Sequence, residues 1–261
     1  GSVYYVEYRT RSGRDYRLRG ASPCVDSGAD LSNWTVRDLP GRVRPLEGPG
    51  GPPTRYDIGA YEFAPFITAS AGAHGTIVPA GEIPIDIGGS TSFVVTANTY
   101  YHIGSLLTNG ADDAAAGDLV VYTSVWNNVR YEGTVAASFA ENLAALGTPE
   151  WWLAQYGWTN NFDYWETNDT DSDLFQAWQE QIAGTDPTNE NSFFQCLDIS
   201  ETNFPVIGKV LRWDAVTARR YSIDGSTNLP ESWFELATNL PPTGVWTDTV
   251  HGGDGMINYR L

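Results

Sequence analysis

The chain has 261 residues, enough for two or more domains at about 100–200 residues each. Its 32 Asp and Glu against 15 Lys and Arg give a net charge of −17, a balance that argues against binding to nucleic acid or an anionic membrane surface, which needs clustered Lys and Arg. Hydrophobic residues at 41%, with 10 Trp, 14 Tyr and 10 Phe, exclude wholesale disorder. No apolar run approaches the about 18 residues of a membrane-spanning helix.

The sequence opens on Gly1-Ser2 with no initiator Met, signal peptide or basic leader, so it reads as a piece of a longer protein whose targeting segment lies upstream. Val3 to Tyr8 and Arg9 to Tyr16 alternate loosely and predict short strands around a Ser12-Gly13 turn. Residues 18–56 are rich in turn signals. The run Gly48-Pro49-Gly50-Gly51-Pro52-Pro53 cannot sit in a central strand or helix and must be an exposed loop. Cys24 and Cys196 have settings that suggest different domains. They read as two buried thiols, with pairing in a secreted protein as the alternative.

Three ordered pieces then carry a resemblance: Ser22-Pro23-Cys24-Val25-Asp26-Ser27-Gly28, Asp38-Leu39-Pro40-Gly41-Arg42, and Asp57-Ile58-Gly59-Ala60-Tyr61-Glu62-Phe63. Together they resemble the closing segment of bacterial parallel β-helix proteins of the choice-of-anchor Q type, with its SPCIDAG, DxxGxxR and DIGAYE pieces. Pro40 and the Gly/Pro insertion before Asp57 depart from that pattern. The resemblance implies that residues 1–65 are the terminal coils and cap of a right-handed parallel β-helix lying mostly upstream. A cap is physically required, because the last coil of a solenoid has no neighbour to cover its apolar end.

From Phe66 the style changes. Gly75–Pro79, Ile83–Ile87, Ser92–Thr96, Tyr101–Ile103, Leu119–Tyr122 and Gly133–Phe139 predict six or seven short strands separated by Gly, Asn and Asp turns. Phe93, Val95, Ile103, Val135 and Phe139 are the expected core. The order of these pieces over residues 66–140 resembles a divergent internalin B-type repeat, a small β-domain of bacterial surface proteins.

Residues 141–195 predict two helices. Thr148 is the expected N-cap of the first, with Pro149 at its first helical position, Trp152, Leu153 and Tyr156 on one face, and Gly157 at its end. The second is expected over Leu174–Ala183, with Leu174, Trp178 and Ile182 as an apolar stripe and Gly184 as its stop. Residues 196–261 return to strands at Val206–Trp213, Arg220–Ser226, Trp233–Ala237, Gly244–Asp248 and Ile257–Leu261, with Trp213, Tyr221, Trp233, Phe234 and Trp246 as expected core. This end and the helical linker before it resemble the C-terminal β-sandwich and linker of secreted surface proteins of the Verrucomicrobia–Kiritimatiella kind. The fold class is therefore mainly β and multidomain: the end of a parallel β-helix (1–65), a small β-domain (66–140), a short two-helix calcium-binding linker (141–195) and a C-terminal β-sandwich (196–261).

The strongest chemistry is Asp169-Thr170-Asp171-Ser172-Asp173, with Glu180 eleven residues after Asp169. Ca²⁺ takes six to eight hard oxygens, and a loop supplies them from carboxylates at positions 1, 3 and 5, a backbone carbonyl at 7 and a bidentate Glu at 12. Those positions are Asp169, Asp171, Asp173, the Phe175 carbonyl and Glu180. Leu174 departs from the pattern, standing where Gly usually makes the turn. A solvated acidic helix start is the plainer reading of the same residues. Asp186, in Gly184-Thr185-Asp186-Pro187, is either a further ligand or part of a plain turn.

His74, His102 and His251 form no metal or catalytic spacing, and no nucleophile elbow or phosphate loop stands in a strand-to-helix context. Trp151, Trp152, Trp158, Phe162, Tyr164 and Trp165 either stack on sugars or pack the helical linker. These features predict an extracellular or cell-surface, non-catalytic stalk or anchor region that serves adhesion, assembly or display. Two alternatives stand beside it: the accessory tail of a polysaccharide-degrading β-helix enzyme, and a subunit of an extracellular filament. The partners expected are a surface polysaccharide, another surface protein, or a second copy joined through β-edges.

Overall fold

The computed structural model describes residues 16–31, 33, 37–202, 207–227, 232–251 and 257–261. The strands expected over residues 3–15, including the Ser12-Gly13 turn and the open edge near Val3, lie outside the described residues. Among the described residues, fourteen strands and three short helices make the protein mainly β. The chain falls into two compact units, one ending at Glu141 and one beginning at Asn142.

In the first unit, alternation between apolar and polar residues becomes a two-sheet sandwich. Its strands are β1 (Phe66–Ala71), β2 (Gly75–Val78), β3 (Gly81–Pro84), β4 (Gly89–Ala97), β5 (Tyr101–Thr108), β6 (Ala111–Asp112), β7 (Val121–Val129) and β8 (Gly133–Glu141). One sheet runs β3-β1-β8-β5-β6 and the other β2-β4-β7. β1 and β8 pair in parallel, from Ile67 with Gly133 to Ala71 with Ala137; the other pairs are antiparallel. Along β4, Phe93, Val95 and Ala97 point into the core while Val94 faces out, the period-two geometry of a strand. Phe93, Val95, Ile103 and Val135 are fully buried, and Phe139 packs against them partly buried.

Residues 16–65 contain, among those described, no strand and one isolated bridge, Arg37 with Val43. A polar network organises this segment. The three sequence pieces singled out above meet in it: the Asp26 amide donates to Asp57 Oδ1 at 2.7 Å, and the Glu62 amide to Asp38 Oδ2 at 3.3 Å. Arg44, 7% exposed, donates through Nε to Glu62 Oε1 at 2.7 Å and through Nη2 to the Asp57 carbonyl at 2.9 Å. The segment is tied to its sandwich by Gly20, whose amide donates to Glu132 at 2.9 Å, and by the Arg130–Glu47 ion pair at 3.0 Å.

The second unit starts with helices α1 (Glu150–Gln155), α2 (Phe162–Glu166) and α3 (Ala177–Ala183). Two expectations are corrected here. Pro149 is the N-cap of α1, not its first helical residue, and no side chain caps it. α3 begins three residues after the expected Leu174, and its buried residues are Ala177 and Glu180, not the Leu174–Trp178–Ile182 stripe. Leu174 is 88% exposed and Ile182 61%. The reason is local: Leu174 takes φ +81°, a left-handed backbone that a helix cannot continue through. Ala144, Leu153, Trp158 and Ala177 form the helical core, with Trp152, Tyr156, Phe162 and Trp165 against it. The packing reading therefore accounts for most of these aromatics, although Tyr164 is exposed.

Beyond the helices come β9 (Cys196–Thr202), β10 (Gly208–Trp213), β11 (Tyr221–Ser226), β12 (Phe234–Leu240), β13 (Val245–Asp248) and β14 (Asn258–Arg260), in two three-stranded sheets, β13-β10-β9 and β12-β11-β14. Leu211, Trp213 and Ile223 are their core, flanked by Tyr221 and Trp246. Phe234 is 38% exposed and so lies outside the expected core. Trp233 lies under the Arg260 guanidinium at 4.7 Å. Both cysteines are free; Cys24 is half-buried and Cys196 exposed, so Cys196 is not the buried thiol expected.

Candidate metal centre

The loop between α2 and α3 folds around its own carboxylates. Asp169 Oδ1 accepts from the Ser172 amide at 2.7 Å and Oδ2 from the Leu174 amide at 3.1 Å. Asp171 Oδ1 accepts from the Asp173 amide at 3.3 Å, and Asp173 Oδ1 from the Phe175 amide at 2.8 Å. Each Asp of the alternating run thus curls the backbone toward itself. The chain reverses at Ser172 and Leu174, with φ +69° and +81°, so the turn that Gly usually makes is made here by Leu.

The result is a convergence of charge. Oxygens of Asp169, Asp171 and Asp173 lie within 4.8 Å of one another. Among the described residues, this is the group of His, Cys, Asp or Glu side chains arranged so that it could hold a metal ion. Glu180 stands outside that trio, on the buried face of α3 and 1% exposed. Its Oε1 accepts from the Thr185 hydroxyl at 3.1 Å. Asp171 Oδ2, Asp173 Oδ2 and Glu180 Oε2 are buried and have no hydrogen-bond partner.

These surroundings resist ionisation. Burial pushes Glu180 up to about 8; the Thr185 hydroxyl works against this, and the charges of Asp171, Asp173 and Asp186 add to it. Burial also raises Asp171, opposed by the Asp173 amide and reinforced by the charges of Asp173 and Asp169. A cation among these oxygens would reverse both effects. The donor set is carboxylate oxygen alone, without His or Cys, and such a set suits hard cations. Phe175 supplies the turn's exit, its ring stacked on Phe193 at 6.4 Å. Asp186 Oδ1 is occupied by the Thr188 amide and hydroxyl, at 3.1 and 2.7 Å. Asp186 therefore holds its own turn while its charge reaches Glu180.

None of the three histidines belongs to this group. His74 stacks on Tyr101 at 4.2 Å, His102 lies 3.6 Å from Asp118, and His251 Nδ1 lies 3.1 Å from Asp248. Two features went unnoticed in the sequence. One is Glu166 of α2, fully buried, with Oε1 accepting from the Leu146 amide at 2.8 Å. The other is a cavity beside α3 that includes Arg219 and Arg220; the only signal for it was two adjacent bases in a strongly acidic chain. No family model, curated protein or solved structure matches this chain.

Proposed function

We propose that the chain is a non-catalytic, calcium-stapled structural region of an extracellular surface protein. The observation that carries the reading is the set of three buried carboxylate oxygens, on Asp171, Asp173 and Glu180, that the protein itself leaves without donors. Buried polar groups are ordinarily satisfied, and these share one loop with Asp169. Ca²⁺ fits better than Mg²⁺, because an all-protein cage of several carboxylates suits its larger and more flexible shell. Asp169, Asp171, Asp173 and Glu180 are the side-chain ligands, with the Phe175 carbonyl as the fifth protein donor. Calcium binding fixes the loop and the start of α3, which suits a protein that works outside the cell as a stalk or anchor for adhesion, assembly or display. In the same reading, residues 16–65 serve as the cap of a parallel β-helix, supported by the way their three motif pieces close on one buried network. Among the described residues, no helix is long and apolar enough to cross a membrane.

Thermal melting in chelator, followed by calcium restored, tests the metal. The wild type should gain stability with calcium, Asp171→Ala should lose that response, and Asp186→Ala should largely keep it. A wild-type melting point unchanged across millimolar calcium would overturn the reading. Release of reducing ends or unsaturated products from a polysaccharide panel would overturn its non-catalytic part.

A further inference from the structure

A cavity of about 300 Å³ lies between α3 and the start of β11. It is at the small end of ligand pockets, which span about 300–1,000 Å³, and suits a single-ring ligand. Phe194 and Tyr221, stacked on each other at 5.9 Å and 11°, give it an aromatic wall that Ile182 extends. Gln179 and Ser222 bring an amide and a hydroxyl to the lining. Two guanidiniums border it. Arg219 is engaged with the Gln181 carbonyl, whereas Arg220 is exposed and has no ion pair or hydrogen bond among the described residues. Glu180 also lines the cavity, 1% exposed and with Oε2 lacking a hydrogen-bond partner.

We infer that this cavity binds a hexuronate, a sugar ring that carries a carboxylate. The free Arg220 guanidinium offers a fork of donors matched to a carboxylate. The aromatic wall suits the apolar C–H face of a sugar ring; the Ser222 hydroxyl can donate to and accept from its hydroxyls, and the Gln179 amide nitrogen can donate to them while its Oε1 accepts from the Gln176 amide at 2.8 Å. A neutral sugar would leave Arg220 unmatched, and a hydrocarbon acid would leave the amide and hydroxyl unmatched. Phe175 and Glu180 belong both to the metal loop and to the cavity lining. A cation held beside Glu180 therefore brings positive charge to the edge of the cavity, where it attracts a carboxylate. Calcium and the sugar acid strengthen each other's binding by the same factor. The coupling rests on the calcium reading; the site itself does not.

The experiment titrates the full chain by calorimetry with calcium alone. It then titrates with methyl galacturonoside, and with methyl galactoside as the neutral isostere, each with calcium and with chelator. Sugar-with-calcium blanks are subtracted. The uronate should bind at least tenfold tighter than the neutral sugar, and calcium should tighten it further. Arg220→Ala should weaken the uronate at least tenfold while leaving the calcium isotherm and the melting point unchanged, since Arg220 is exposed. Uronate and neutral sugar binding alike, or an unchanged Arg220→Ala, overturns the inference, as does an intact calcium isotherm with no uronate binding. Arg220-dependent uronate binding without any calcium isotherm keeps the cavity site and sinks the metal reading instead.

Discussion

In the first unit, Asp38, Asp57 and Glu62 meet the guanidiniums of Arg42 and Arg44 and a ring of backbone amides; in the second, Asp169, Asp171 and Asp173 face one another, with Glu180 buried on α3 outside that trio. Both groups are carboxylates; Asp57, Glu62 and Glu180 are each under 5% exposed, while Asp169, Asp171 and Asp173 are half-buried. The difference lies in donors. Both Glu62 oxygens are used, Oε1 by Arg44 at 2.7 Å and the Asp57 amide at 3.2 Å, Oε2 by the Leu46 amide at 2.9 Å. Both Asp57 oxygens are used as well, by the Asp26 amide at 2.7 Å and the Phe63 amide at 2.5 Å. In the second unit the amides are spent on one oxygen each of Asp171 and Asp173, and the other oxygens are left over. The first network carries its own cation in Arg44 and leaves only Asp26 Oδ1 buried without a partner, whereas the second leaves three carboxylate oxygens unpartnered and, among the described residues, supplies no cation of its own; the proposed calcium would fill that role.

The largest effect should come from removing the internal cation. Arg44→Ala would leave Glu62 and the Asp57 carbonyl buried without their partner. Removing one member of a buried ion pair costs about 3–5 kcal/mol, so chemical denaturation of this variant should show the first unit unfolding far earlier than wild type. A loss under about 1 kcal/mol would show that water reaches the network, and the contrast with the second unit would weaken. The next effect is calcium itself. At a hundredfold excess over its dissociation constant, it should stabilise the second unit by about 2.7 kcal/mol. Hydrogen exchange of the α3 amides should report this, slowing with calcium in wild type and not in Asp171→Ala.

One substitution made in both networks should change sign between them. Glu62→Gln turns an acceptor of two amides and a guanidinium into a group that brings two donors of its own, and should destabilise. Glu180→Gln keeps an oxygen for the Thr185 hydroxyl but removes a charge repelled by Asp171, Asp173 and Asp186. Above pH 8 it should stabilise the calcium-free protein while weakening its calcium response.

The pH dependence has the same origin. Glu180 rises from the ordinary 4.5 to about 8 in the folded, calcium-free chain. Its contribution to stability is therefore fully present below about 4.5 and is lost as pH rises through about 8, because in that window the unfolded state has released a proton that the folded state retains. Calcium-free melting points of the second unit should fall across the window in wild type and stay flat in Glu180→Gln. Calcium should bind more tightly toward the upper end and release protons as it does so. A wild-type profile as flat as that of Glu180→Gln would show that Glu180 is ionised at neutral pH without the metal.

How much of this could be read from the chain varies with the range of the forces involved. Strand positions follow from local alternation, so Phe93, Val95, Ile103 and Val135 were legible as core before any fold was known. The Asp169–Asp173 trio was legible for the same reason, because its geometry arises within one loop. β9 was missed because its residues are mostly exposed and carry no apolar stripe. α2 was missed because a helix of five residues is too short to show a period. Arg44, Arg220 and the cavity depend on partners many residues away, and no spacing rule reaches them. Leu174 misled because its hydrophobicity fitted a helical stripe, while the Asp169 carboxylate captured its amide and turned its backbone left-handed.

That residue yields the smallest effect and the finest comparison. The tight turn of the first network, Asp38 to Arg42, places Gly41 at φ +93°, with no atom within 4 Å of where a Cβ would stand. The turn of the second places Leu174 at φ +81°, where a side chain costs about 1–2 kcal/mol. Leu174 is 88% exposed, so its side chain returns almost nothing through burial. Leu174→Gly therefore relieves the backbone, against the about 0.5–1 kcal/mol by which Gly enlarges the entropy of the unfolded chain. The net expectation is a stabilisation of about 0.5–1 kcal/mol. It should hold with and without calcium, because neither state needs the leucine. Gly41→Ala should show the reverse, a loss of about 1 kcal/mol from strain alone. Paired melting curves in chelator and in calcium read both. Should Leu174→Gly instead destabilise the second unit, the leucine would be packing against something when the protein works, and the turn would be a contact surface rather than a strained loop.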